Sequence, residues 1–379
     1  MERVFRNARI VLDDRVVSGS LAVRGGVVAD IGEGPGRVGE DLEGDFLLPG
    51  FVELHTDHLE NHYAPRAGVR WDPVAALQAH DTQIVGSGIT TVFDALRVGS
   101  EGDDRQLGED AGILAGALET ARAEGRLKAD HLVHLRCEVS ADDVVEQAEP
   151  LFAAGVVRLA SLMDHSPGQR QFADLAAFKR YYHRDLAGMS ETQVIDYVAG
   201  RRVAGAEVAA RTRPAIAAFG RAAGAILASH DDATPEHVAE AVAEGASVAE
   251  FPTTLAAARA ARDAGLKILM GAPNVVRGGS HSGNVSAAAL AAAGLLDVLS
   301  SDYVPFSLML ATFRLPEAVP STSLPAAVRL VTRIPADVVG LADRGAIEAG
   351  RRADLVRVAR PAGGAPLVRA VWRCGERVA

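Results

Sequence analysis

"PGFVELHTDHLENHYAPR" runs from Pro49 to Arg66, and the way it is read decides the fold. Read as a helix, it puts His55, His58 and His62 on one face. Pro49-Gly50 is a turn signal, however, and the apolar FVEL that follows suits a strand ending near Asp57. On a strand, residues two apart point the same way, so His55 and Asp57 project together while Thr56 points opposite. His58 then opens a loop. Three histidines, one aspartate and two glutamates within sixteen residues mark the end of that strand as a place where a metal could sit.

Upstream of this stretch the texture is β. "RVFRNARIVL" (3–12), "GSLAVRGGVVADIG" (19–32) and "GEDLEGDFLLPG" (39–50) alternate β-branched and polar residues, with glycines at the turns. The same texture returns in "GRRADLVRVAR" (350–360) and "PLVRAVWRCGERVA" (366–379). Residues 1–48 and 346–379 are therefore expected to form one small antiparallel β-sandwich domain built from both termini.

Downstream, short apolar runs alternate with alanine-rich amphipathic segments. The runs are FVELH, GITTVFDA, HLVHLRCEV, VVRLASLMD, GAILASHD, ASVAEFP, LKILMGAP and DVLSSD, and each suits a parallel strand buried on both faces. They extend from Phe51 to Asp302, close to the roughly 250 residues of a (β/α)8 TIM barrel. A doubly wound open sheet shares this alternation. The expected fold is α/β, with the barrel over residues 49–345.

A metal site follows from what stands at the ends of these runs: His55, Asp57, Glu138, His165, His230 and Asp302. Barrel enzymes gather their active sites at the C-terminal ends of the strands. Three imidazoles and three carboxylates suit zinc, manganese or a similar divalent ion. Six ligands exceed what one tetrahedral ion needs, so two ions bridged by Glu138 and a hydroxide are expected, roughly 3.5–4 Å apart. Asp231, Asp232 and Thr234 stand just before PEHVAEAV and read as helix caps. The segment 166–200 is long for a strand–helix connection and reads as a lid or binding element.

The remaining composition excludes several classes. A net charge of −10 argues against a nucleic-acid partner, which needs a basic face. Cys137 and Cys374 are the only cysteines, too few for a disulfide framework. The opening "MERVFRNARIVLDD" shows no leader pattern, and no window approaches the roughly 18 apolar residues of a membrane span. A cytoplasmic enzyme that pairs as a homodimer is expected.

The entry "PGFVELH" and the closing "IEAGRRADLV" (347–356) resemble the amidohydrolase superfamily, and the resemblance covers essentially the whole chain. Within it, "HTDHLENHYAPRAGVRW", "AHDTQIVGSGITTVFDAL", "HLRCEVS", "MDHSPGQRQF" and "NVVRGGSHSGNVSA" are similar to the PhnM-type α-D-ribose 1-methylphosphonate 5-triphosphate diphosphatases of phosphonate breakdown. The resemblance implies that His55, Asp57, Glu138, His165 and His230 hold metal, and that Asp302 touches metal and accepts the proton of the attacking water. Asp57 stands where the commoner superfamily pattern has a histidine, and His58 is the alternative ligand. The implied reaction splits a triphosphate to a 5-phosphate and pyrophosphate. Rival readings are another amidohydrolase activity, such as sugar-phosphate deacetylation or cyclic-amide opening, and an inactive barrel kept as a scaffold.

Charge supports an anionic substrate separately. Two divalent ions, three carboxylates and one hydroxide leave the metal core near neutral, so other cations must hold a triphosphate. Arg66, Arg70, Arg136, Arg170, Lys179, Arg180, His183, Arg184, Arg277 and His281 stand near strand ends, and Ser280 lies in the Gly-Ser loop "RGGSHSGN" ahead of a helix, where backbone N–H groups could cradle phosphate.

Overall fold

Gly50 marks the handover between two sheets. A Cβ there would fall 2.2 Å from Thr90 Oγ1, so only glycine fits. The computed structural model describes residues 2–100, 107–166, 170, 188–280 and 283–379.

Before Gly50 run β1 (Glu2–Val11), β2 (Val16–Arg24), β3 (Val27–Glu33), β4 (Glu40–Asp41) and β5 (Phe46–Pro49). They join β14 (Leu355–Ala359), β15 (Leu367–Arg373) and β16 (Glu376–Arg377) from the far end of the chain in the order β16-β15-β14-β5-β1-β2-β3, with β4 also on β1. The sheet is mixed where the sequence reading expected antiparallel strands, because β1 runs parallel to both β4 and β5. It also curls over its own core. Phe5 on β1 meets Trp372 on β15 edge-on at 4.8 Å between ring centroids, although two strands separate them in the sheet.

After Gly50 all eight expected strands form. β6 (Phe51–Thr56), β7 (Ile89–Val98), β8 (Asp130–Glu138), β9 (Val157–Met163), β10 (Ile226–His230), β11 (Val248–Glu250), β12 (Lys267–Gly271) and β13 (Val298–Ser300) pair in sequence order, every adjoining pair parallel. The ring closes between β13 and β6 by specific bonds. Asp302 N donates to His55 O at 3.1 Å and Ser301 N donates to Glu53 Oε2 at 2.6 Å. Val52, Leu54, Phe93, Leu159, Ala228, Val248, Leu269 and Val298 fill the interior below the site.

The helices are α1 (His58–Tyr63), α2 (Pro73–Gly86), α3 (Ala111–Ala123), α4 (Val144–Ala153), α5 (Glu191–Ala223), α6 (Pro235–Glu244), α7 (Leu255–Asp263), α8 (Ala272–Arg277), α9 (Ala287–Ala292) and α10 (Ser307–Ala318), followed by two short helices over 324–338. His58 therefore begins a helix rather than the expected loop. Much of the expected lid lies outside the described residues, and its final third belongs to α5, which starts at Glu191 behind a capping box of Ser190 and Gln193. Sequence placed the next clear helix too late there, because the Gly200-Arg201-Arg202 interruption hides a continuous helix.

One irregularity aims the site. Below it, Val52 and Leu54 face the interior, yet the register of β6 against β7 shifts between Glu53 and Thr56. Within this bulge His55 also turns inward, against His134, His230 and Phe251. Simple strand parity would have turned His55 away from the interior that Leu54 occupies. Glu53 holds the bulge by accepting from His55 N at 2.7 Å as well as from Ser301 N.

Candidate metal centre at the barrel mouth

Two buried carboxylates orient three imidazoles. Glu250, at the end of β11, faces His55 Nδ1 at 3.3 Å and His230 Nδ1 at 3.1 Å, and accepts from the Ser161 hydroxyl at 2.6 Å. Glu138, at the end of β8, faces His165 Nδ1 at 2.6 Å and also accepts from His165 N at 3.0 Å and the Ser140 hydroxyl at 2.7 Å. A carboxylate on Nδ1 fixes the tautomer that leaves Nε2 as a lone pair, the arrangement in which metal-binding histidines are usually held.

The Nε2 atoms converge. Asp231 Oδ2 lies 3.5 Å from His230 Nε2 and 3.9 Å from His165 Nε2. That oxygen is buried with no hydrogen-bond partner among the described residues, and Asp231 holds the left-handed φ of 57° that brings it there. An orphaned carboxylate oxygen facing two oriented imidazoles fits a divalent cation, and the N/O donor set suits zinc or manganese. Among the described residues, His165, His230 and Asp231 form one potential ligand group, and His55, His230 and Glu250 another.

Charges follow these contacts. Burial opposes the charged form of Glu138, but His165 and Arg97 outweigh it and bring the carboxyl down to about 2. Burial opposes the charged form of Glu250 as well, but His55 outweighs it, and the carboxyl is held well below the usual range. Asp302 moves the other way: burial, then the neighbouring Asp57, push it up to about 7. Burial drives His134 down to about 3, so it stays neutral beside Glu250.

Of the sequence-predicted ligands, His55, His165 and His230 meet around these carboxylates. Asp302, following β13, feels both Asp57 and His55. Asp57 is on Arg136, whose Nη1 lies 3.3 Å from Asp57 Oδ2, while Asp57 Oδ1 is buried with no partner among the described residues. Glu138 is present at the end of β8, its two oxygens facing His165 and Ser140. His58 turns away: its Nε2 sits 2.9 Å from Gln83 Oε1 on α2, and its ring packs on His62 and His80.

The predicted phosphate-binding residues scatter. The Arg170 guanidinium is buried against Asp232 and Glu240 and cannot reach substrate. Arg70 pairs with Asp110 and lies over the Tyr63 ring. Arg66 is exposed on the turn after α1. Arg277 is exposed at the end of α8, with Ser280 three residues on, while His281 lies outside the described residues. So do Lys179, Arg180, His183 and Arg184. The helix after the Gly-Ser loop, α9, already spends N–H groups internally: Ser286 Oγ accepts from Ala289 N and Asn274 Oδ1 from Ala287 N. An anion gains little there.

Sequence reasoning missed Asp231, Glu250 and Arg97. Thr234 caps α6, accepting from His237 N, so Asp231 was too far upstream to be a cap, and its place beside His230 was the available signal. Glu250 ends a recognised strand run and carried the same signal as His230. Arg97 ends β7 with its Nη2 3.7 Å from Glu138 Oε2.

A second histidine–carboxylate network lies outside the barrel wall. Asp94, facing outward from β7, is 2.8 Å from His80 Nε2 on α2 and 2.7 Å from His131 Nδ1 on β8, and His131 Nε2 is 3.1 Å from Asp81. Burial disfavours charge on His131, but Asp94 and Asp81 raise it to about 9, so it is a cation clamped between two carboxylates.

Replacing Glu250 with glutamine keeps its shape and removes the charge that orients two imidazoles. Metal affinity is expected to fall about 10–100-fold, measured by titration with a chelating dye. Unchanged affinity would show that Glu250 does not orient them.

Residues 46–375 match the family model described as the amidohydrolase family. The chain is 45% identical over 378 residues, 99% of its length and 100% of the relative's, to the α-D-ribose 1-methylphosphonate 5-triphosphate diphosphatase of Escherichia coli strain K12. Among solved structures, the N-acetylglucosamine-6-phosphate deacetylase of Pasteurella multocida aligns with TM-score 0.63 at 16% identity, covering 100% of this chain and 99% of that one. The 5-methylcytosine deaminase of Klebsiella pneumoniae aligns with TM-score 0.64 at 13% identity, covering 99% and 98%. These two likenesses concern the fold alone.

Proposed function

The chain belongs to the amidohydrolase family, and from that membership we propose that it hydrolyses α-D-ribose 1-methylphosphonate 5-triphosphate to the 5-phosphate and pyrophosphate, a step of phosphonate catabolism. The observation that carries this reading is the 45% identity to a diphosphatase over nearly every residue of both chains. The centre supports it, because its orphaned oxygen and oriented imidazoles suit a divalent metal, zinc or manganese by donor type.

His165, His230 and Asp231 would hold the metal, with His55, Asp57 and Asp302 beside them. Bound there, a divalent ion supplies acidified water and polarises a phosphoryl oxygen. Asp302, poised near neutrality, takes the proton of the attacking water at its carboxylate. Glu138 and Glu250 keep the imidazoles from turning. The triphosphate brings several negative charges into a mouth already rich in carboxylates, so cationic side chains must meet it. Arg97 and Arg136 are inside the mouth, and the exposed Arg66 and Arg277 are candidates for the outer phosphates.

We place the enzyme in the cytoplasm as a homodimer that uses neither nucleic acid nor membrane. The acidic net charge argues against a nucleic-acid partner, and among the described residues no helix is long and apolar enough to cross a membrane.

Metal removal tests the reading. Protein dialysed against a chelator is expected to release no pyrophosphate from the triphosphate, and zinc or manganese should restore release. Full pyrophosphate release by metal-free protein, or release of a carboxylate in place of pyrophosphate from a substrate panel, would overturn it.

A further inference from the structure

Arg136 is an unexpected neighbour for a cation site. It rises from β8 into the barrel mouth with its side chain only 14% exposed, and its Nη1 lies 3.3 Å from Asp57 Oδ2. Its Nε is buried with no hydrogen-bond partner among the described residues. The guanidinium also interacts with Glu60, Asp302 and Glu250. It therefore stands among the carboxylates that would surround a second metal ion on the β6 side of the mouth.

The two halves of the mouth differ in kind. On one side the Asp231 carboxylate oxygen, which has no hydrogen-bond partner among the described residues, faces the Nε2 atoms of His165 and His230. On the other, Asp57 already has a fixed positive partner. Arginine cannot give up its proton in a protein, so that partner cannot be titrated away. A divalent ion next to it would meet like-charge repulsion in a poorly solvated place, where Coulomb terms are strong. Building a guanidinium into a pocket is a way of neutralising carboxylates without metal.

We infer that Arg136 takes the place of a second metal ion, so that the centre is mononuclear, its single ion held on the His165–His230–Asp231 side. This deepens the proposed function and rests on it, since it assumes the centre binds metal at all. It departs from the two ions expected from the ligand count. Six candidate ligands would serve two ions only if no other cation neutralised the carboxylates on the β6 side. In the structure the Arg136 guanidinium already meets one oxygen of Asp57 there. Arg136 would be a positioning residue, acting through Asp57 and Asp302 rather than touching the reacting phosphorus.

The test counts metal. Metal-free full-length protein is loaded with excess Mn(II), separated from unbound ion by gel filtration, and assayed for metal per chain and by electron paramagnetic resonance. Wild type should hold about one ion per chain and give the spectrum of an isolated ion, as distinct from the paired arrangement of two-metal hydrolases. Arg136→Met removes the charge but keeps a long side chain, and should take up a second ion, with an exchange-coupled spectrum. Arg136→Lys restores one charge and should return the count to about one, because a single cation there suffices. Asp57→Asn should leave the count unchanged. About two ions per wild-type chain, or a coupled wild-type spectrum, would overturn the inference while leaving the hydrolase reading intact. An Arg136→Met protein that stays at one ion, or an Asp57→Asn protein that loses its ion, would also overturn it. Wild type that binds no metal yet releases pyrophosphate would sink the underlying reading instead. The wild-type count and spectrum decide the question even if Arg136→Met does not fold.

Discussion

His230→Ala should lower kcat/KM for pyrophosphate release by more than about 100-fold, beyond the 10–100-fold typical of losing a group that merely orients a ligand. His230 is the one side chain shared by both potential ligand groups at the mouth. Its Nδ1 is held by Glu250, its Nε2 faces the orphaned Asp231 oxygen, and its ring lies 5.6 Å, centroid to centroid, from each of His55 and His165. Alanine would remove a donor and also free Glu250 from one of its three imidazole neighbours. The fold should tolerate this, because β10 is fixed by backbone pairing on both sides and Arg170 anchors to Asp232 independently of the imidazole. Steady-state kinetics with metal analysis and circular dichroism would check it. Activity within tenfold of wild type, at normal metal content, would remove His230 from the centre.

The largest stability loss is expected away from the mouth. Asp94→Ala would leave the His131 cation buried with Asp81 alone and strip His80 Nε2 of its partner. Breaking one side of a buried ion pair costs about 3–5 kcal/mol, because the remaining charge is uncompensated. Urea denaturation should register a loss of that size with pyrophosphate release little changed in the folded protein, since this network lies on the helix side of the barrel wall. A loss under about 1 kcal/mol, the scale of an exposed pair, would mean that water reaches the network. The same cluster sets a pH dependence. His131 titrates at about 9 in the folded chain, above the ordinary histidine value of 6.5, so its contribution is complete below 6.5 and is lost as pH rises from there through 9. Thermal midpoints of wild type should fall across that window, and His131→Gln should lack this component.

Strand runs were legible because a strand buried on both faces is written as a continuous apolar segment. Every one of the eight runs became a strand, and the residues at their ends reached the mouth where the strand was straight. Three features were not legible, each for a physical reason. The bulge at Glu53–Thr56 depends on Ser301, almost 250 residues away, so nothing local to β6 announces it. Arg170 looked like a phosphate ligand because charge alone cannot tell a solvated arginine from one buried against Asp232. Asp231 looked like a cap because aspartate near a helix start usually is one, and only its left-handed backbone turns it toward His165. Glu250 and Arg97 were legible in principle, being polar groups at strand ends.

Glu53 ties two demands to one carboxylate. One oxygen steers the backbone of the first ligand and the other clasps the chain just past the eighth strand, so the clasp that shuts the ring is also the gunsight of the metal pocket. A lineage that loosened this seam to admit a bulkier substrate would lose the alignment of His55 in the same stroke. Enlargement of the pocket is therefore easier away from the seam that Glu53 closes.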